Sequence, residues 1–184
     1  MKILVGITGS SGVIYGIRLV EVLSKFEHEV YLIISGNAEK VIEKESEIEM
    51  EKIKEYARAI YDNNDFYSPP ASGSFAIDAM VIIPCSLKTL SAIANGYADT
   101  LISRAAICCL KEGRKTILVI RETPLDLSSL LNMIKARMSG GIILPASPAF
   151  YHKPKKVMDL VDFIVGKVLD QLGIKHSLFR RWGE

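Results

Sequence analysis

Short apolar runs rich in β-branched residues alternate along this chain with longer stretches of helical period, and that alternation is what most restricts its fold. The runs 2–7, 29–34, 79–84, 116–120 and 141–144 have strand length. After the first, Val13, Ile17, Val20 and Leu23 recur at three- and four-residue steps, the spacing of an amphipathic helix. Strands that alternate with helices pair in parallel, because each helix carries the chain back to the same edge, and the helices cover both faces. The pattern predicts an α/β fold: one three-layer, Rossmann-like or flavodoxin-like domain over 1–184, with a parallel sheet of five or six strands. Helices are expected over 11–25, 36–44, 48–60, 86–95, 99–111, 127–138 and 154–172. Asn63-Asn64, Pro69-Pro70 and Gly73 mark 62–75 as mostly loop, with room for a short strand near Phe66.

Composition narrows the function classes. Of 184 residues, 49% are hydrophobic and 24% charged, with a net charge of +2, so neither disorder nor a nucleic-acid-binding face is indicated. The apolar runs are too short to span a bilayer. The first of them meets Gly6 and Gly9 too early for a signal peptide, so a cytoplasmic protein is expected. Cys85, Cys108 and Cys109 lack CxxC spacing and read as small buried hydrophobes. His28, His152 and His176 are scattered, without an HExxH motif or a carboxylate cage, so no metal site is expected.

In open parallel sheets, ligands bind beyond the carboxyl ends of the strands. That edge collects the 8–12 turn, Ser35, Cys85-Ser86-Leu87-Lys88-Thr89, Arg121-Glu122 and the 145–151 loop. In Gly6-Ile7-Thr8-Gly9-Ser10-Ser11-Gly12, three glycines around two serines let the backbone turn tightly and aim N–H groups at an anion where a helix starts. The spacing is not the GxGxxG of dinucleotide folds, and a plain turn fits it as well as a phosphate site. Ser86 and Thr89 open a second helix on the same edge, which points to one phosphate-bearing ligand spanning two helix starts. Arg121 and Glu122 follow a buried strand, either as a structural ion pair or as an anion clamp beside an acid. Tyr151, in Ala149-Phe150-Tyr151-His152-Lys153-Pro154, offers a hydroxyl to a phosphate or a ring to packing; Lys167 reads as a solvated helix lysine.

Several motifs, taken in order, carry a resemblance. They are Gly6 to Gly12 above, Pro70-Ala-Ser-Gly-Ser74, Pro84-Cys-Ser-Leu-Lys-Thr-Leu90, Leu110-Lys-Glu112, Arg121-Glu-Thr-Pro-Leu125, Pro148-Ala-Phe-Tyr151 and Arg181-Trp-Gly-Glu184. Together they resemble the UbiX-type flavin prenyltransferases of the flavin-binding decarboxylase-like superfamily, along 6–184. The resemblance implies transfer of a dimethylallyl group from dimethylallyl monophosphate to N5 of reduced FMN, then ring closure at C6, without a metal or a redox step. It implies FMN binding by Gly9, Ser10, Ser11, Ser35, Ser86, Leu87, Lys88, Thr89 and Arg121. The substrate phosphate would meet Tyr151 and Lys167, with Arg104 and Lys111 arriving from neighbouring subunits of a homo-oligomer, typically a dodecamer. Trp182 would cover the prenyl group. Glu122 is the implied acid at the leaving phosphate, and Ser11 and Glu45 the implied carriers of the proton released on ring closure. The product, prenylated FMN, would serve a UbiD-type decarboxylase.

Four residues, at three places, depart from the family pattern. Lys167 stands where some relatives have Arg, which keeps the charge and loses the bidentate fork; Ile107-Cys108 and Gly113 also differ from common residues. Two other readings share the fold: an FMN-dependent cysteine decarboxylase and a non-catalytic FMN-binding decarboxylase subunit. The former resembles its own relatives in a His near the first helix and a Pro-Ala-Ser-Ala-Asn-type motif. Here 8–26 holds no His, and the matching segment is Pro70-Ala71-Ser72-Gly73-Ser74.

Overall fold

A computed structural model describes residues 1–183. Among them, β1 (Lys2–Ile7), β2 (Glu29–Ile34), β3 (Ala59–Asp62), β4 (Ala79–Cys85), β5 (Lys115–Ile120) and β6 (Ile142–Pro145) form one parallel sheet in the order β3-β2-β1-β4-β5-β6. The helices are α1 (Val13–Lys25), α2 (Gly36–Glu45), α3 (Met50–Glu55), α4 (Leu87–Ala94), α5 (Leu101–Lys111), α6 (Leu127–Met138) and α7 (Val157–Leu172).

The two-residue period of the strands assigns each side chain to a layer. Ile3, Val5, Ile7, Val81 and Val119 pack against α1, α2, α3 and α7. Leu4, Ile33, Met80, Ile82 and Leu118 pack against α4, α5 and α6. All of β4 is buried, as a central strand of a doubly covered parallel sheet must be.

The chain departs from the sequence-based expectation between 46 and 75. The helix expected over 48–60 is α3 alone, and Ala59–Asp62 pairs with β2 as an edge strand. Its alternation of half-buried and exposed residues is too short to outweigh the helical period upstream; the open edge of β2 decides it, beginning with the Arg58 N–H donating to the Val30 carbonyl at 2.7 Å. The segment near Phe66 is a turn instead of a strand, tied by Asp65, which accepts from the Tyr67 N–H and the Ser68 hydroxyl.

From β1 the sheet winds outward in both directions, so a crevice opens between the carboxyl ends of β1 and β4. Buried Thr8 closes its floor. Its N–H and hydroxyl both donate to the Pro84 carbonyl, at 3.2 and 2.7 Å, and the hydroxyl accepts from the Ser86 N–H at 2.8 Å. Above β4, α1 lies so close that a Cβ on Gly16 would stand 2.3 Å from the Ile83 carbonyl oxygen.

Thr8→Val keeps the shape but strips the Ser86 N–H of its partner. A loss of about 1–3 kcal/mol is expected, read as a lower urea midpoint; an unchanged midpoint would deny the clasp its weight. Gly16→Ala should cost about 1–3 kcal/mol by overpacking. A thermal melt matching the wild type would show that α1 moves off the sheet freely.

Candidate functional site

Beyond the carboxyl ends of the strands lies a cavity of about 540 Å³, within the ~300–1,000 Å³ of small-molecule sites. Its lining includes Thr8 and Gly9, the start of α2 at Ser35 and Asn37, Asn63 after β3, and the start of α4 at Ser86, Lys88 and Thr89. Each helix is capped from its own sequence. Ser35 Oγ accepts from the Ala38 N–H at 3.2 Å, and Ser86 Oγ accepts from the Thr89 N–H at 3.3 Å while donating to Thr89 Oγ1 at 3.1 Å. A cap satisfies one first-turn donor, so those of Leu87 and Lys88 are left to face an anion, with the helix dipole behind them. Gly9 lets the loop reach α2: a Cβ there would stand 2.5 Å from Asn37 Cβ.

The glycine-serine loop serves two directions. Thr8 and Gly9 face the cavity, whereas Ser10 donates its hydroxyl to the Arg121 carbonyl at 2.8 Å. Arg121 Nε in turn donates to the Ser11 carbonyl at 3.0 Å. Gly12, at φ 88°, donates its N–H to Glu45 Oε2 at 2.8 Å. Ser10, Ser11, Glu45 and Arg121 therefore meet, although they lie far apart in sequence. Tyr15 joins them, with its ring 3.0 Å from where a Gly12 Cβ would sit; burial raises its phenol pKa against the opposing pull of Arg121. Glu122 is exposed and accepts from the Thr123 N–H at 3.0 Å. Among the described residues it makes no ion pair with Arg121, so the structural-pair reading falls.

A second cluster forms where α7 meets the C-terminal segment. Tyr151 and Trp182 pack edge to face at 5.3 Å and line, with His152, Arg180 and Arg181, a cavity of about 310 Å³. Phe163, Lys167 and Asp170 share one face of α7 at four- and three-residue steps. Tyr151 lies 5.9 Å from Phe163, and Lys167 Nζ donates to Asp170 Oδ2 at 3.3 Å.

Arg104 and Lys111 are not brought to this cluster. They sit on α5, in the opposite helix layer. Arg104 Nε donates to the Ala71 carbonyl at 2.9 Å, and Lys111 pairs with Glu112 beside Gly73. Arg114 clamps the end of the same segment and its exit, through the Gly73 and Phe75 carbonyls, both at 2.7 Å.

Asn37, Asn63 and Thr100 line the cavity without having been singled out from sequence. Thr8, which opens the 8–12 turn, also lines it, as the first polar residue after the apolar run 3–7. Asn63 carried no signal, because its place depends on β3; it accepts from the Leu101 N–H at 2.7 Å and the Ile102 N–H at 3.2 Å. The three cysteines are free and buried. Burial pushes the Cys109 thiol up to about 11 and raises that of Cys85 as well, which disfavours a reactive thiolate. Among the described residues no three His, Cys, Asp or Glu side chains are grouped to hold a metal, and no helix is long and apolar enough to cross a membrane.

The flavoprotein family model matches residues 1–169. Flavin prenyltransferase UbiX of Methanocaldococcus jannaschii is 55% identical over 183 residues, covering 100% of this chain and 99% of the relative. A solved structure described as AnUbiX (PadA1) in complex with FMN and dimethylallyl pyrophosphate is similar with a TM-score of 0.97 at 39% identity, over 100% of this chain and 97% of the other. A dodecameric FMN-dependent Ubix-like decarboxylase from Escherichia coli O157:H7 gives a TM-score of 0.97 at 41% identity, over 100% of both chains. Likeness of this order along the whole length shows that the chain belongs to the flavoproteins and, within them, to the flavin prenyltransferase UbiX family.

Proposed function

We propose that the chain, as one flavin-binding domain over 1–184, transfers a dimethylallyl group from dimethylallyl monophosphate to N5 and C6 of reduced FMN. The observation that carries this reading is the convergence of two helix starts and the Arg121-braced loop on one edge, in a chain 55% identical to a flavin prenyltransferase. The donor set fits FMN: the Leu87 and Lys88 N–H groups and the Ser35, Ser86 and Thr89 hydroxyls would hold a phosphate and its polar tail, and Gly9, Ser10, Ser11 and Arg121 would complete the site. Bound reduced FMN supplies the nucleophilic ring atoms.

The remaining work falls to the chain and its substrate. The allylic C–O bond breaks and phosphate leaves with the electron pair, its charge met by Tyr151 and Lys167 and by Arg104 and Lys111 of neighbouring subunits. Glu122 protonates or steadies the leaving phosphate. Ser11 and Glu45, adjacent through the Gly12 N–H, take up the proton released on ring closure. Trp182 and Tyr151 cover the prenyl group, keeping water from the allylic cation. Free, buried cysteines suit a reducing cytoplasm, and a UbiD-type decarboxylase is the recipient of the prenylated flavin.

Assembly is part of the reading. Leu127, Leu130, Leu131, Ile134 and Met138 form an exposed apolar stripe on α6, of the kind that marks a protein interface. Arg104 and Lys111 reach a Tyr151–Lys167 cluster only on another copy. These features fit a homododecamer, the assembly described for the Escherichia coli O157:H7 relative.

With reduced FMN, dimethylallyl monophosphate and EDTA, mass spectrometry should find flavin heavier by one five-carbon unit; unmodified flavin after full incubation would overturn the reading. Glu122→Gln should slow product formation about a hundredfold or more and spare FMN affinity, whereas equal loss of both would make Glu122 structural. For assembly, Leu131→Asp with Ile134→Asp should lower the mass seen by light scattering. A dodecamer that survives both changes would move the interface elsewhere.

A further inference from the structure

At Gly173, φ 79°, α7 ends and the chain reverses. Residues 174–182 then run back along the face of the helix they have just left. Gly166 makes the close approach possible: a Cβ there would stand 2.5 Å from the Phe179 ring and 2.6 Å from that of His176. Phe179 meets Phe163 at 4.7 Å between ring centroids, which brings Trp182 onto Tyr151.

One carboxylate ties this return path to α7. Asp170 Oδ1 accepts from His176 Nε2 at 3.2 Å and from Arg181 Nη2 at 2.9 Å, while Oδ2 accepts from Lys167 Nζ at 3.3 Å. The tautomer of His176 follows from its other nitrogen. Nδ1 accepts the Leu178 N–H at 3.2 Å, so the proton lies on Nε2 and points at Asp170. The imidazole is fully buried, and Asp170 is its acceptor.

We propose that Asp170 is a positioning residue, a latch that folds the C-terminal segment onto α7 and holds the Lys167 ammonium at the rim of the Tyr151–Trp182 cluster. The inference rests on the reading of Lys167 and Trp182 as substrate contacts and adds the group that sets both. Lysine carries its charge on a long flexible stem, and fixing it costs rotamer freedom. Asp170, three residues on, restrains that stem through one of the three ammonium protons and leaves two for a phosphate. The lysine side chain is 43% exposed, so an anion can reach it. Because the same carboxylate holds His176 and Arg181, the lysine and the covering tryptophan are set together. Burial works against the Asp170 charge, and hydrogen bonds from Arg181 and Lys167 outweigh it, holding the pKa below its ordinary value.

Trp182 is the chain's single tryptophan, so its fluorescence reports the latch without turnover. In Asp170→Asn, acrylamide should quench Trp182 more strongly, KM for dimethylallyl monophosphate should rise about tenfold, the worth of one charge-assisted hydrogen bond, and the FMN dissociation constant should stay put. Asp170→Glu should recover part of both effects. Gly166→Ala, which lifts the segment sterically and leaves Asp170 intact, should raise quenching in the same way. Wild-type quenching in both Asp170→Asn and Gly166→Ala would overturn the latch, as would a loss of FMN affinity parallel to the rise in KM. The two readings fail separately: absence of prenylated flavin from the wild type rejects the prenyltransferase reading, and the quenching series judges the latch by itself.

Discussion

The ligand edge hangs from the way Thr8 ties the end of β1 to the end of β4. A buried hydroxyl is costly unless it is bonded, and here it gives and takes at once: to the Pro84 carbonyl and from the Ser86 N–H. That second bond holds Ser86 extended, at φ −69° and ψ 154°, the conformation from which it caps α4. The same residue therefore fixes where the glycine-serine loop departs and where the second helix starts. Two anion-facing groups of donors share one reference point, and their spacing does not depend on any flexible side chain.

Layering explains why the site is divided. The winding of the chain puts α1, α2, α3 and α7 on one side of the sheet and α4, α5 and α6 on the other. Only the carboxyl edge, where loops from both layers meet, can bring residues of the two together. Glu45 from the first layer and Arg121 from the strand edge do meet there, around Ser11 and Gly12. Arg104 and Lys111 lie on α5 in the second layer, held against the 70–74 segment, away from the α7 cluster of their own chain. If Arg104 and Lys111 meet the substrate phosphate, as proposed, they do so on another copy, and the exposed apolar stripe of α6 offers surface for that assembly.

Much of this was legible because local sequence and tertiary role agree. The four long strands finish in apolar runs, and polar residues follow at once, so Ser35, Ser86, Thr89 and Arg121 could be placed on the ligand edge from order alone. α6 runs over 127–138 as its period predicts, with Asp126 capping through the Ser129 N–H at 3.1 Å. β3 was not legible, since four half-exposed residues take their strand form from β2. Asn63 was hidden with it. Glu45 had no local distinction from the glutamates around it; its bond to Gly12 closes 33 residues of chain, and only the family resemblance marked it. Asp170 looked like any helix acid, because what distinguishes it is a segment that returns from beyond Gly173.

The two ends of the site are built from different materials, and the chemistry asks for that difference. The flavin end rests on backbone donors and short bonds between loops that the sheet fixes, an arrangement already organised before any ligand arrives. In the proposed reaction the prenyl end is assigned to Lys167, Tyr151 and Trp182, side chains that stay partly open to solvent. An allylic cation has to be shut away from water, yet its precursor has to enter and phosphate has to leave. Under the proposed latch Lys167 serves both needs: Asp170 restrains its ammonium through one proton, and its partly exposed side chain keeps two for the phosphate. The packing of Phe179 on Phe163 and on Gly166 gives the segment its return path onto α7.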